Sequence, residues 1–160
     1  MKKIFILLII VSLLGSCAHV VSQQIREQID KELKPEILFK DPDAYKGKTV
    51  LLGGIIISLK NTDEGTYIEV LQKPLDYRGR PEDTDITYGR FIIFYEGYLD
   101  SVIYSIGKEI TVAGEVLGKI IRPLGEIQYE YLLLKSKEFH LFKPLHSLPI
   151  RFSIGIWTTF

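Results

Sequence analysis

The 160-residue chain has one cysteine, Cys17, so no disulfide can form within it and its stability must come from packing and hydrogen bonding. It has no long hydrophobic run. The first apolar stretch, residues 4–14, is interrupted by Ser12 and is little more than half of the roughly 20 residues that a membrane-spanning helix needs. It also lacks the basic excess with which proteins meet nucleic acid or anionic lipid, since 20 Lys and Arg face 20 Asp and Glu. No Pro-, Gly- or Ser-rich stretch is long enough to divide it, and its length suits one domain with a modest core. A P-loop, a dinucleotide glycine pattern, a nucleophile elbow and a zincin helix are all missing from the sequence. Nothing in these motifs points to a nucleotide-dependent or hydrolytic enzyme.

What is present first of all is an address. Lys2 and Lys3 precede the apolar stretch, and Gly15 and Ser16 place small residues next to Cys17, which is the order of an export signal. Leu14-Gly15-Ser16-Cys17 resembles a lipobox, which implies that Cys17 carries a diacylglyceryl group, that the chain is cut before it and that the new amino terminus is acylated. A plain secretory signal would leave an unpaired thiol in an oxidising compartment, an awkward outcome that lipid removes. Each buried acyl methylene contributes about 0.8 kcal/mol, and two or more chains hold stably. Cleavage takes away two lysines and no acid, so the mature chain carries a formal charge of −2.

Residues 22–33 read as a short amphipathic helix with Ile25, Ile29 and Leu33 four apart, serving as a tether or leaning on the domain, and Pro35 ends it. In 41–47, Asp41 is placed to cap, Pro42 fits the first helical position and Gly47 ends the turn left-handed. Residues 49–59 form a long, bent strand, where a bulge at Gly53-Gly54 would bring Val50, Leu52, Ile55, Ile57 and Leu59 to one face. A hairpin at 61–65 leads to a second strand, 66–72, and then to a long polar loop, 73–87. The third strand, 90–95, is apolar on both parities, and 97–107 has room for another helical turn. The fourth, 110–116, carries Gly114 on its inner face, 118–125 is a connector, and in the fifth Ile127, Tyr129, Tyr131 and Leu133 share one side.

Five strands, the first one bent and a helical element between the third and fourth, predict a mainly β fold: a small OB-like Greek-key barrel, with an open sandwich as the alternative. The expected organisation is a signal peptide at 1–16, a lipidated N-terminus and helical tether at 17–38, the barrel at 39–142 and an apolar, aromatic tail at 143–160. In that tail Phe152, Ile154 and Ile156 alternate before Trp157, so it adds a strand or touches the membrane interface, where Trp is favoured.

The residues with chemical potential are few. Ser105-Ile106-Gly107-Lys108 has the Ser-x-x-Lys spacing of a serine acyl-enzyme without its partner motifs, and a turn entering the fourth strand explains it better. His140 and His146 match no compact metal site, His19 lies beside the lipid, and the acids Glu82, Asp83 and Asp85 lack the glycine and closing glutamate of an EF-hand loop. No metal and no cofactor beyond the covalent lipid is expected. Tyr67, Phe91, Phe94, Tyr95, Tyr129 and Tyr131 either line a small apolar groove or belong to the core, which is the commoner fate of such residues. Arg78 and Arg80, with Arg90 at the end of the same loop, make the candidate interaction surface, because long ordered loops are disproportionately functional and these cations suit acids or an anionic headgroup.

Several blocks together resemble a known family: Pro74-Leu75-Asp76-Tyr77-Arg78-Gly79-Arg80-Pro81, Tyr88-Gly89-Arg90-Phe91, Gly97-Tyr98-Leu99-Asp100, Tyr104, Ile110-Thr111-Val112-Ala113-Gly114-Glu115-Val116, and Gly125-Glu126 with Tyr129 and Tyr131. In this order, over roughly 39–142 and with the signal, they resemble the Slp family of Gram-negative outer-membrane lipoproteins, some of them induced by starvation. The resemblance implies a lipid-anchored envelope protein with no catalytic residue to carry over. Asp100-Ser101 departs from the family's frequent Asp-Pro, and Ala18, where inner-membrane retention would commonly show Asp, favours export to the outer membrane. Three functions compete. The first is a non-enzymatic envelope module on the periplasmic face, with a protein or cell-wall partner and no nucleic acid. The second is a periplasmic carrier of a small apolar or lipidic ligand, and the third is a weak hydrolase using Ser105 and Lys108. A filled barrel favours the first, a hollow aromatic pocket the second, and convergent Ser and Lys side chains the third.

Overall fold

β-Branched and aromatic residues alternate through five segments, and these pair as strands in the computed structural model, which describes residues 19–143. The strands are β1 (Thr49–Thr62), β2 (Gly65–Lys73), β3 (Arg90–Tyr95), β4 (Glu109–Leu124) and β5 (Ile127–Leu141). They close into a barrel in the order β1-β2-β3-β5-β4. All neighbours are antiparallel except β3 and β5, which run parallel. This is the five-stranded Greek-key order of the OB barrel, not an open sandwich.

Closure depends on β1, whose first half pairs with β4 and whose second half pairs with β2, the two sets overlapping at Gly53, Gly54 and Ile55. A Cβ at position 53 would stand 2.5 Å from Leu75 Cδ2 and 2.7 Å from Thr111 Oγ1, and one at position 54 would overlap the carbonyl oxygen of Leu71. The two glycines therefore serve close approach at the crossing rather than the expected bulge. The extra residue falls later, between Ile56 and Ser58. Val50, Leu52 and Ile56 consequently face the core with no change of parity, Leu59 packs against it only after the bulge, and Ile55 and Ile57 are not in the inner set.

The remaining differences lie in β4 and β5. Residues 118–124 continue β4 instead of connecting it, and Gly125-Glu126 is the two-residue turn of a long hairpin. Gly118, at φ +107, absorbs a register shift after Val116, and Gly114, opposite Val50, lies on the inner face as expected. In β5 the inner residues are Leu132 and Leu134, whereas Ile127 is exposed and Tyr131 is buried on the outer side. The two register shifts in β4 set which β5 residues face inward, and they cannot be read from the period of β5 alone.

The expected helix at 22–33 is a single turn, Gln23–Arg26. Ile29 forms a parallel bridge with Thr49, and the Asp30 amide donates to the Thr49 carbonyl at 2.8 Å. A sheet-edge pairing wins over further helix in a segment too short to offset helix nucleation. The segment leans on the barrel: Val21 is buried, Ser22 donates to Glu138, and Lys137 donates to Gln28. Pro35 opens a further helical turn, Pro35–Leu38, instead of ending one. The turn Pro42–Tyr45 and the left-handed Gly47 are present as expected, although the Asp41 side chain caps nothing. The 97–107 segment forms turns rather than a helix, with the Tyr104 amide donating to the Asp100 carbonyl.

The interior is filled by Leu, Ile, Val and one aromatic, Phe91. One end is closed by Leu38 and by Phe39, whose ring meets Phe91 edge-on at 6.4 Å. The other is closed by Leu99 and Tyr104, with Tyr95 and Tyr104 both edge-on to Phe139 at 5.4 and 5.7 Å. Cys17, His146, Trp157 and the question of an added strand in the tail lie outside the described residues.

Candidate functional site

The loop between β2 and β3 is held in shape by its own sequence. Asp76 Oδ1 accepts the amides of Arg78 and Arg80, both at 2.8 Å, the Asp76 amide donates to the Arg80 carbonyl, and Gly79 takes a left-handed φ of +82. This is the aspartate turn that an Asp followed three residues later by Gly encodes. A bridge between Leu75 and Pro81 closes its base. Thr111 Oγ1 donates to the Gly79 carbonyl at 2.7 Å and fastens the loop to β4.

The three arginines have separate partners. Arg80 Nε donates to Glu109 Oε2 at 2.6 Å, and its guanidinium lies 5.1 Å from the Phe142 ring and donates to the Lys143 carbonyl at 3.4 Å. Arg78 points outward, stacked over Tyr77 at 5.1 Å. Arg90 lies on the outer face of the sheet, where Nη1 donates to Glu69 Oε1 at 2.7 Å. Glu69 also accepts from the Tyr131 hydroxyl and from Ser58 Oγ, both at 3.2 Å, and the Arg90 amide donates to the Tyr129 hydroxyl oxygen. The hydrogen bond that Arg90 donates to Glu69 raises the Arg90 pKa. Burial, and then the Glu69 charge, pushes the Tyr131 phenol above its usual range.

Arg78→Ser is expected to leave thermal unfolding unchanged, whereas Arg80→Ser, which abandons the partly buried Glu109, is expected to cost about 1 kcal/mol. Unfolding followed by circular dichroism distinguishes the two. Equal effects would show that the Arg80 contact contributes nothing.

The aromatic candidates divide. Phe91 is core and Tyr95 packs against it, while Tyr67 stacks on Phe94 at 5.0 Å and Tyr129 meets Tyr131 at 4.7 Å on the outside. They line no common groove. Glu69 and Arg122, whose guanidinium lies 4.7 Å from the Tyr67 ring, were not singled out by the sequence. An acid in the middle of a strand of otherwise mostly apolar residues, Tyr-Ile-Glu-Val, was the available sign of Glu69. Lys108 Nζ donates to the Ile103 carbonyl at 2.6 Å, and the Lys108 amide donates to the Ser105 carbonyl, so this segment is built as a turn. His140 is exposed against Phe142, Lys73 binds the Thr84 carbonyl, and among the described residues no three His, Cys, Asp or Glu side chains converge as a metal site.

Residues 14–151 match the outer membrane lipoprotein Slp family. The Escherichia coli (strain K12) protein called uncharacterized lipoprotein YeaY is 28% identical over 103 residues, which cover 62% of this chain and 53% of that protein. The chain thus spans about half the length of that relative. Two solved structures are similar at a TM-score of 0.36 and 9% identity: a small single-stranded DNA-binding protein from Streptomyces coelicolor, over 59% of this chain and 93% of that one, and an aspartyl tRNA synthetase from Entamoeba histolytica, over 76% and 21%. Likenesses of that degree carry no argument about function.

Proposed function

The chain belongs to the outer membrane lipoprotein Slp family, and from that premise we propose that it is a non-enzymatic envelope component, held by lipid on Cys17 to the outer membrane and facing the periplasm. In this reading residues 1–16 are the signal, 17–38 lead from the lipid to the barrel and lean on its wall, 39–142 are the working module and 143–160 a tail of separate role. Its partners are another envelope protein or the cell wall.

The observation that carries the reading is the filled barrel. Leu38, Ile56, Ile68, Phe91, Ile93, Ile110, Leu132 and Leu134 are fully buried or nearly so and close on one another inside it. Interiors packed at this level have no room for a ligand. A carrier needs a concave, largely preformed cavity, and the aromatics that would have lined one are either core or on the outside. The Ser105–Lys108 turn, occupied by backbone contacts, gives no support to hydrolysis. What is left for recognition is the outer surface.

Native mass spectrometry of the protein extracted from its own envelope tests this. The expected species is the chain from Cys17 onward with acyl mass added and no small molecule retained in the barrel. A stoichiometric small ligand that survives removal of the detergent would favour the carrier.

A further inference from the structure

The first described residues, the last described residues of β5 and an apolar surface of the barrel meet at one end of it. β3 spans the barrel, with Phe91 under Phe39 at its start and Tyr95 against Phe139 at its finish. β5 runs parallel to β3, Phe94 opposite Lys135, and continues past it to Leu141, so the chain leaves for residues 144–160 at the finishing end. The same end receives the cap 97–108, which returns directly into Glu109, and the Phe142 amide donates to the Glu109 carbonyl there at 2.9 Å.

The N-terminal segment approaches the same place. Val20 packs against Gly79, in the loop whose Arg80 joins Glu109 and Lys143, and Ser22 is bound to Glu138, whereas further along the chain Ile29 pairs with Thr49 at the start of β1. Position 17 stands three residues before Val20, and three residues reach no further than about 11 Å. Chain length alone therefore holds the Cys17 lipid close to this end.

This end is also apolar where solvent would be expected. On the cap, Tyr98, Val102 and Ile106 are 74%, 79% and 74% exposed, with Ile103 also open, and Tyr77 at the loop tip is 87% exposed beside Arg78. Scattered single apolar residues need no explanation, but four within nine residues on one cap do. Among nearby charges, Asp100 on the cap accepts the Val102 amide, Asp76 is bound by backbone amides and Glu109 by Arg80, while Arg78, Lys108 and Lys143 are basic and the acids Glu82, Asp83 and Asp85 follow the loop's closing bridge.

We infer that the 97–108 cap and the Tyr77-Arg78 tip rest on the phospholipid surface into which the Cys17 lipid inserts. The opposite end, closed by Leu38 and Phe39, then points away from the membrane. Interfacial apolar groups sink roughly 5–10 Å into the headgroup boundary. The arrangement turns a lipid tether into a seat of fixed orientation. The inference rests on the lipid anchor proposed above.

The test uses the lipidated protein reconstituted into phosphatidylethanolamine–phosphatidylglycerol vesicles containing brominated lipid. Ile106→Cys carries an environment-sensitive dye, and Glu36→Cys, on the exposed side of the opposite plug, carries it in a second preparation. The wild-type thiol is taken up by lipid, so the dye marks only the introduced site. The dye at position 106 is expected to be quenched several-fold more than at position 36. Equal quenching in protein that floats with the vesicles would overturn the orientation and leave the anchor intact. Failure of the wild type to float would remove the anchor and this inference with it. Shielding at position 106 that ignores brominated lipid and grows with protein concentration would assign the face to a second copy instead.

Discussion

Gly54→Ala lowers the melting temperature by on the order of 10 °C, the expectation for a clash costing about 3 kcal/mol in a domain of this size. Neither Gly53 nor Gly54 has a left-handed φ, so conformational freedom is not what they supply. They supply room. At position 54 a Cβ would overlap the Leu71 carbonyl oxygen and stand 2.8 Å from its carbon and 2.9 Å from Val70 Cγ1, and the backbone of a paired strand cannot move aside without breaking its ladder. Gly114→Ala is the graded comparison, because there the closest atoms, Leu134 Cβ and the Lys135 carbonyl oxygen, are 3.1 Å away and a shift of a few tenths of an ångström suffices. Its loss should be less than half as large. A Gly54→Ala protein that melts with the wild type would show that β1 does not bend between two partners at this point.

The same glycines mark how far the sequence could be read. A run apolar and aromatic on both parities placed β3 at its observed bounds, and the Gly-Gly pair marked the place where the first strand passes from one partner to the other. The bulge was misplaced because parity counting cannot distinguish a glycine that admits an extra residue from one that admits a neighbouring backbone. The β4–β5 hairpin was cut short for a related reason. Gly118, Pro123 and Gly125 read as loop punctuation, yet Gly118 sits in a register shift and Pro123 near the tip of the hairpin, where strands tolerate such residues. The helix at 22–33 was overread because Ile29 satisfies a helical stripe and a sheet-edge bridge equally well, and only the position of Thr49 decides.

For the candidate site, the sequence identified the loop but not how its charges are used. The sequence was read there only as a long polar loop, although Asp76 and Gly79 encode its turn locally. The partners Glu109 and Glu69 are 29 and 21 residues from Arg80 and Arg90, so only the closed barrel reveals that two of the three arginines hold the structure together. The apolar cap was hidden by its composition. Val102, Ile103 and Ile106 look like core residues in a one-dimensional pattern, and their exposure emerges only once Leu99 and Tyr104 have taken the places inside.

Cys17→Ser has the largest expected effect on where the protein resides, with no expected effect on the barrel. Loss of the thiol removes the atom to which the proposed diacylglyceryl group would bond, and a serine hydroxyl, far less acidic than a thiol, does not replace it as a nucleophile. The expected product is an unprocessed precursor without acyl label, absent from the outer-membrane fraction. Its charged side chains offer no substitute attachment, because the precursor balances 20 Lys and Arg against 20 Asp and Glu, and a surface without basic excess is not held by anionic lipid. The fold should survive, since the first buried contact described is Val21, four residues later. Metabolic labelling with a fatty acid, membrane fractionation and the far-ultraviolet spectrum of the purified variant check the three parts separately. Normal cleavage and acylation of the variant would place the anchor elsewhere, and with it the end of the barrel that faces the bilayer.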